Sequence, residues 1–139
     1  MITSCYKTDK YVNCKYEQDF KMRFIKETFK PVRYRKVFCI ETEETIAGFP
    51  DVMMLTCSNC GNKAEFFEFK FSNSKGVIKF QPTQPPFYRK NPEMGVIVVA
   101  YNQKTKVLHI FPASDIFDKN SRYAMNPRAE INLCKVEAW

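Results

Sequence analysis

Two carboxylates and an ammonium sit at suggestive spacing in this sequence: Asp51 follows Pro50, and Glu68 and Lys70 flank Phe69. Brought to one point, such groups are costly to hold, because like charges repel and each ion loses hydration when partly buried. A divalent cation resolves the conflict, turning the carboxylates into ligands and leaving the lysine free to act on water. The chemistry open to this trio is metal-assisted hydrolysis.

The elements that must position these groups can be read from alternation. Over residues 64–71 strand geometry puts Phe66, Glu68 and Lys70 on one face and Phe67, Phe69 and Phe71 on the other. The aromatic face belongs against a core, so the opposite face is left for chemistry. Asp51 opens the apolar run Val52-Met53-Met54-Leu55, and Pro50 biases Phe49 toward extended geometry. A hairpin of these two strands carries Asp51 to Glu68 and Lys70. Each piece alone is common, since Pro-Asp is usually a turn and Glu-x-Lys a solvated strand face. Together, with Gly48 ahead and a polar-aromatic segment behind, they are more specific. Between the strands, Cys57-Ser-Asn-Cys60-Gly61 resembles half of a zinc knuckle. The other half is missing, because His109 is the one histidine and Cys5, Cys14, Cys39 and Cys134 are scattered. It reads as a hairpin turn.

Length and composition bound the rest. The 139 residues form one domain, 1–139, large enough for a real core. An apolar content of 45% and an aromatic content of 15% argue against disorder. The formal charge of +7 is compatible with a phosphate-backbone partner. No apolar run approaches a membrane span and the first residues lack a signal-peptide core, so an intracellular chain with reduced thiols and no membrane partner is expected.

In chain order, the spacing predicts a helix over 15–30, where Tyr16, Phe20, Phe24 and Ile25 recur and Pro31 ends the run. Glu17 lies at the edge of that stripe, as a first-turn acid favoured by the helix dipole or as a further acid facing a metal. Spacing favours the first. A strand is expected over 32–42, with Arg33, Arg35 and Lys36 as a phosphate-contacting or merely protected edge, followed by the acidic turn Glu41-Thr-Glu-Glu. After a turn at 72–76 and a strand at 77–80, Pro85 and Pro86 suit a helix's first turn, which places a short helix at 87–91 with Gln84 just before it. Tyr88, Arg89 and Lys90 have the aromatic-basic mixture of nucleic-acid surfaces. Residues 96–101 read as a buried strand, 106–111 as its return with His109 packed, and 114–117 as a last helical turn. The tail to Trp139 shows no periodicity. Its Lys119, Arg122 and Arg128 are candidates for phosphate contacts.

With these residues assembled, the chain resembles the PD-(D/E)XK nuclease superfamily, and within it the small virus-type replication-repair nuclease group found in phages. The matching residues are Glu41-Thr, Gly48-Phe-Pro50-Asp51, Glu68-Phe-Lys70 and Gln84, covering roughly the middle half of the chain. The resemblance implies an α/β fold: a restriction-endonuclease-like αβββαβ core, its mixed central sheet flanked by helices and its metal site at a sheet edge. It makes Asp51, Glu68 and the backbone carbonyl of Phe69 metal ligands, with Glu17 as the helix-borne acid. Lys70 positions water, and Gln84 takes the motif glutamine position with Gln81 in reserve. The chain departs from the pattern in a long hairpin at Cys57–Cys60 and a short helix after Gln84.

The expected function is Mg²⁺-dependent hydrolysis of DNA phosphodiesters, with Mn²⁺ able to substitute, no small-molecule cofactor, and Arg33, Arg35, Lys36, Arg89 and Lys90 on the nucleic acid. The resemblance further suggests a homodimer acting on branched DNA such as four-way Holliday junctions. The alternatives are a non-catalytic nucleic-acid-binding module that kept the fold, and a restriction-like or RNA-cutting nuclease.

Overall fold

A computed structural model describes residues 4–40, 48–58, 61–72, 75–117 and 130–132, the last of these by backbone only. The acidic turn after Ile40, Cys60, Lys119, Arg122, Arg128 and Trp139 lie outside the described residues.

The first described element is strand β1 (Ser4–Lys7), which the sequence did not announce. Helix α1 (Glu17–Phe24) follows, its start fixed by the Asp19 carboxylate accepting the Tyr16 N–H at 3.1 Å. The helix runs on through a π-helical turn (Ile25–Phe29), in which the Lys30 N–H donates to the Ile25 carbonyl at 3.0 Å. The predicted helix therefore exists in two parts. Strand β2 (Arg35–Cys39) is shorter than expected, because Arg33 and Tyr34 belong to the turn before it.

Strands β3 (Val52–Ser58) and β4 (Gly61–Phe71) form the expected hairpin, with pairing from Val52 opposite Phe67 to Ser58 opposite Gly61. Strand β5 (Val77–Lys79) leaves the main sheet and pairs with β8 (Glu130–Asn132) in a separate ribbon. Helix α2 (Gln84–Lys90) starts three residues earlier than the sequence suggests, so Gln84 is its first residue and Pro85 and Pro86 stand in its first turn. A 3-10 turn (Pro92–Met94) leads to β6 (Ile97–Asn102), β7 (Val107–Pro112) and the short α3 (Ser114–Phe117).

The main sheet has the order β1-β7-β6-β4-β3-β2. It is mixed: β4 and β6 run parallel and every other neighbouring pair is antiparallel. The order α1, β2, β3, β4, α2, β6 gives the expected αβββαβ core, with β1, β7 and the ribbon added.

Each face of the sheet has its own core. On one face Phe20 and Phe24 of α1 pack with Phe67, Phe69, Val99, Tyr101 and Leu108. Phe20, wholly buried, meets Phe69 edge-on at 5.7 Å and stacks with Phe71 at 5.1 Å. On the other face Tyr88 of α2 packs with Ile78, Phe80, Val98, Ala100 and Phe111, with Phe66 and Phe87 at its margin. The alternation predicted for β4 holds. The face that carries Glu68 and Lys70 is covered by α2 and the β5 segment. No helix among the described residues is long and apolar enough to cross a membrane.

Candidate functional site

The site forms because β4 outruns β3. Pairing of the hairpin ends at Val52 opposite Phe67, whereas β6 accompanies β4 to Phe71. The Ser72 N–H donates to the Tyr101 carbonyl at 3.0 Å, so the even-numbered main-chain groups here address β6. The odd-numbered groups address the side where β3 has ended. There the Phe69 N–H donates to Oδ2 of Asp51 at 3.4 Å, and the Phe71 N–H donates to Oε2 of Glu17 at 3.0 Å. Backbone N–H and C=O groups of one strand residue point to the same edge, so the Phe69 carbonyl shares the gap with Asp51.

Glu68 is the centre of this arrangement, only 2% exposed. Its Oε2 accepts the Asp51 N–H at 3.1 Å. Its Oε1 accepts from Nε2 of Gln84 at 2.7 Å and faces Nζ of Lys70 at 3.4 Å. Oε1 of Gln84 accepts from Lys70 at 3.1 Å and from the Gln81 N–H at 2.9 Å. The amide is thus oriented by its surroundings, carbonyl to the two donors and NH₂ to the carboxylate. Lys70, 7% exposed, also places its ammonium 5.0 Å from the Phe80 ring centroid.

The electrostatics follow the burial. Lost hydration pushes the Glu68 carboxyl up to about 7, and the nearby Asp51 adds to this, while Lys70, Gln84 and the Asp51 N–H pull it back. Glu17 is raised by lost hydration around its carboxyl and by Asp51, against the Phe71 N–H and Lys70, although the residue as a whole stays exposed. A carboxylate at the first position of α1 therefore senses Lys70 on β4 and Asp51 just before β3. Its dipole-favouring position and its place at the site coexist.

The structure thus brings together Asp51, Glu68, Lys70 and Gln84, with Glu17 beside them. Gln81 reaches this group through its backbone, while its exposed side chain stays apart. Tyr88 was expected on an aromatic-basic surface but is buried, one turn after Gln84 on the same side of α2. Burial raises its phenol strongly, and Glu68 and Asp51 raise it further. The signal in the sequence was the four-residue spacing from Gln84, which on a helix puts both on one face.

An ion's fit can be judged from the donors. Among the described residues no three His, Cys, Asp or Glu side chains gather closely enough to hold a metal unaided. Asp51, Glu68 and the Phe69 carbonyl supply hard oxygen donors, the kind that suit Mg²⁺ or Mn²⁺. Glu17 is anchored one same-edge N–H further along β4, a spacing of roughly 6.6 Å. The result is a two-carboxylate pair with a third acid next to it.

Of the basic residues, Arg33 and Lys36 are exposed beside and on the edge strand β2, and Arg89 and Lys90 are exposed on α2. Arg35 differs: its Nη1 donates to the Thr28 carbonyl at 3.3 Å, and its guanidinium lies 6.0 Å from the Phe29 ring centroid. That side chain ties β2 to the π-helical turn. Cys57 lies near the end of β3, but its expected partner in the turn lies outside the described residues. His109 is buried on β7, where lost hydration lowers it to about 4 and keeps it neutral at physiological pH.

Compared with models of known protein families, with curated proteins and with solved structures, the chain matches none.

Proposed function

We propose that this protein is a metal-dependent nuclease of the PD-(D/E)XK kind, hydrolysing phosphodiester bonds in DNA. One observation carries the reading: Asp51 and Glu68 converge where β4 outruns β3, with Lys70 buried against Glu68 at 3.4 Å. A fold gains little from holding a buried and a half-buried carboxylate beside one buried ammonium, since the desolvation cost rivals the Coulombic gain. Catalysis gives the arrangement a reason to persist.

In this reading Asp51, Glu68 and the Phe69 carbonyl hold a divalent cation, which supplies Lewis acidity toward the phosphate. Lys70 holds the attacking water and offsets the negative charge that builds on the phosphate oxygens. Gln84 keeps Lys70 and Glu68 in register with each other. Glu17 provides a further carboxylate beside the pair. Arg33, Lys36, Arg89 and Lys90 contact the backbone, giving an affinity that falls with salt. The resemblance of the motif residues to virus-type replication-repair nucleases supports a branched substrate, such as a four-way junction, and a homodimer that addresses two strands.

The test is to incubate the protein with linear duplex, flap and four-way-junction DNA and with RNA, with Mg²⁺, Mn²⁺ or EDTA, beside Asp51→Asn. Metal-dependent cutting that the variant lacks supports the proposal. Binding by the wild type without cutting in either metal points to a non-catalytic module. Preference for linear sites or for RNA points to a restriction-like or RNA-cutting enzyme.

A further inference from the structure

Gly48 stands where the loop carrying Asp51 touches the helix carrying Gln84. Its φ is +90°, in the region that favours glycine. A Cβ there would lie 2.4 Å from the Thr83 carbonyl oxygen and 2.7 Å from the Phe87 Cβ. The Thr83 carbonyl accepts the Phe87 N–H at 3.3 Å, the bond that closes the first turn of α2. The contact is therefore backbone against backbone, at the turn that presents Gln84. The next residue extends it: the Phe49 ring packs against Phe87 at 5.6 Å and Phe66 at 5.8 Å. Pro50 is buried behind it, and Asp51 follows.

From this geometry we infer that Gly48 and Phe49 form a positioning clip, which sets the gap between the carboxylate pair and the Gln84 amide. The sheet cannot do this by itself. Glu68 and Lys70 are fixed by β4 and β6, Asp51 by the start of β3, but Gln84 sits on a seven-residue helix outside the sheet. Gln84 bonds Glu68 and Lys70 at 2.7 and 3.1 Å, so a displacement of about 1 Å in the first turn of α2 would break both bonds. A methyl group on Gly48 cannot be relieved by a side-chain rotation, because the nearest atom is a main-chain oxygen. Asp51 is held to the sheet by Glu68, by the Phe69 N–H and by the Ile40 N–H, so the first turn of α2 is what must move away.

The clip is a property of the fold and does not depend on what the site acts on. Its test has a reporter in the structure, because the Gln81 amide donates to Oε1 of Gln84 at 2.9 Å. Hydrogen exchange at Gln81 should rise at least tenfold in Gly48→Ala and in Phe49→Ala, while amides of β6, such as Val99, keep wild-type rates. Gln84→Ala should expose Gln81 equally, and adding Gly48→Ala to it should change exchange no further. Should Gly48→Ala fail to fold, Phe49→Ala, which removes atoms and introduces no clash, carries the test. Unchanged Gln81 exchange in Phe49→Ala, or a crystal structure of Gly48→Ala with Gln84 still 2.7 Å from Glu68, overturns the inference. If the protein cuts DNA, the same variants lower cleavage at saturating substrate and leave DNA affinity unaltered. If it cuts nothing, the exchange result still decides the clip.

Discussion

Lys70 and Glu68, two residues apart on one face of β4, meet at 3.4 Å while both are almost wholly removed from solvent. A pair this buried makes its members interdependent. Lys70→Met leaves the Glu68 carboxylate without its cation and should destabilise the protein by about 3 kcal/mol above pH 7. Below pH 5, where Glu68 is protonated, the cost should shrink. Urea melts of the variant at pH 5 and pH 8 measure the difference, and equal losses at both would contradict it.

The raised Glu68 carboxyl also gives stability a slope with pH. Its folded value is about 7 against an ordinary 4.5, so between those values the native state binds more protons than the unfolded one. Stability from this group falls as pH rises from about 4.5 to about 7, by up to about 3 kcal/mol. Glu68→Gln should remove that contribution, so the variant loses stability on acidification where the wild type does not. Where the pair holds a metal as proposed, Mn²⁺ should offset it in the wild type by favouring the ionised form. Thermal melts across pH, with and without the metal, provide the check.

His109 contributes the opposite slope. Its folded value of about 4 lies below an ordinary 6.5, so the unfolded state binds more protons between them. Stability from this group is lost as pH falls from about 6.5 to about 4. The two slopes oppose each other over most of that window, and the wild type should look nearly flat there. His109→Phe should unmask the Glu68 slope, visible as a melting temperature that climbs on acidification to pH 5.

Arg35 and Arg89 should separate by assay. Arg35→Ala removes the tie to Thr28 and should lower stability by about 1 kcal/mol with little effect on DNA. Arg89→Ala with Lys90→Ala should leave stability unchanged and weaken DNA binding. The slope of log affinity against log salt should become shallower by about 0.9 for each phosphate that the variant no longer neutralises. Fluorescence anisotropy at several salt concentrations resolves the two cases.

Phe20→Ala should cost about 3–5 kcal/mol, because a wholly buried ring shared by α1 and β4 leaves a cavity that aromatic neighbours fill poorly. Equilibrium denaturation gives the value directly. A loss under about 1 kcal/mol would show that the face collapses around the gap.

Much of the frame was legible in the sequence because its signals are local. The alternation of Phe67, Phe69 and Phe71 with Glu68 and Lys70 fixed the faces of β4, and the spacing of Phe20 and Phe24 gave α1. What escaped depends on tertiary partners. Ser4–Lys7 has no period of its own and becomes a strand by lying along β7. The ribbon of β5 and β8 joins segments that are distant in sequence. The start of α2 at Gln84, the burial of Tyr88 and the covering of Glu68 and Lys70 all come from one helix docking on the sheet. Propensity alone cannot announce that event.

The step between β3 and β4 ties assembly of the centre to the accuracy of a single hairpin. Sliding one strand by a residue would set Asp51 against a phenylalanine and turn each apolar side chain of the slipped strand to the wrong layer. A mispaired molecule would lose the Asp51–Glu68 contact and expose aromatic surface at the same moment. Copies in which Asp51 and Glu68 fail to meet should therefore be the sticky ones.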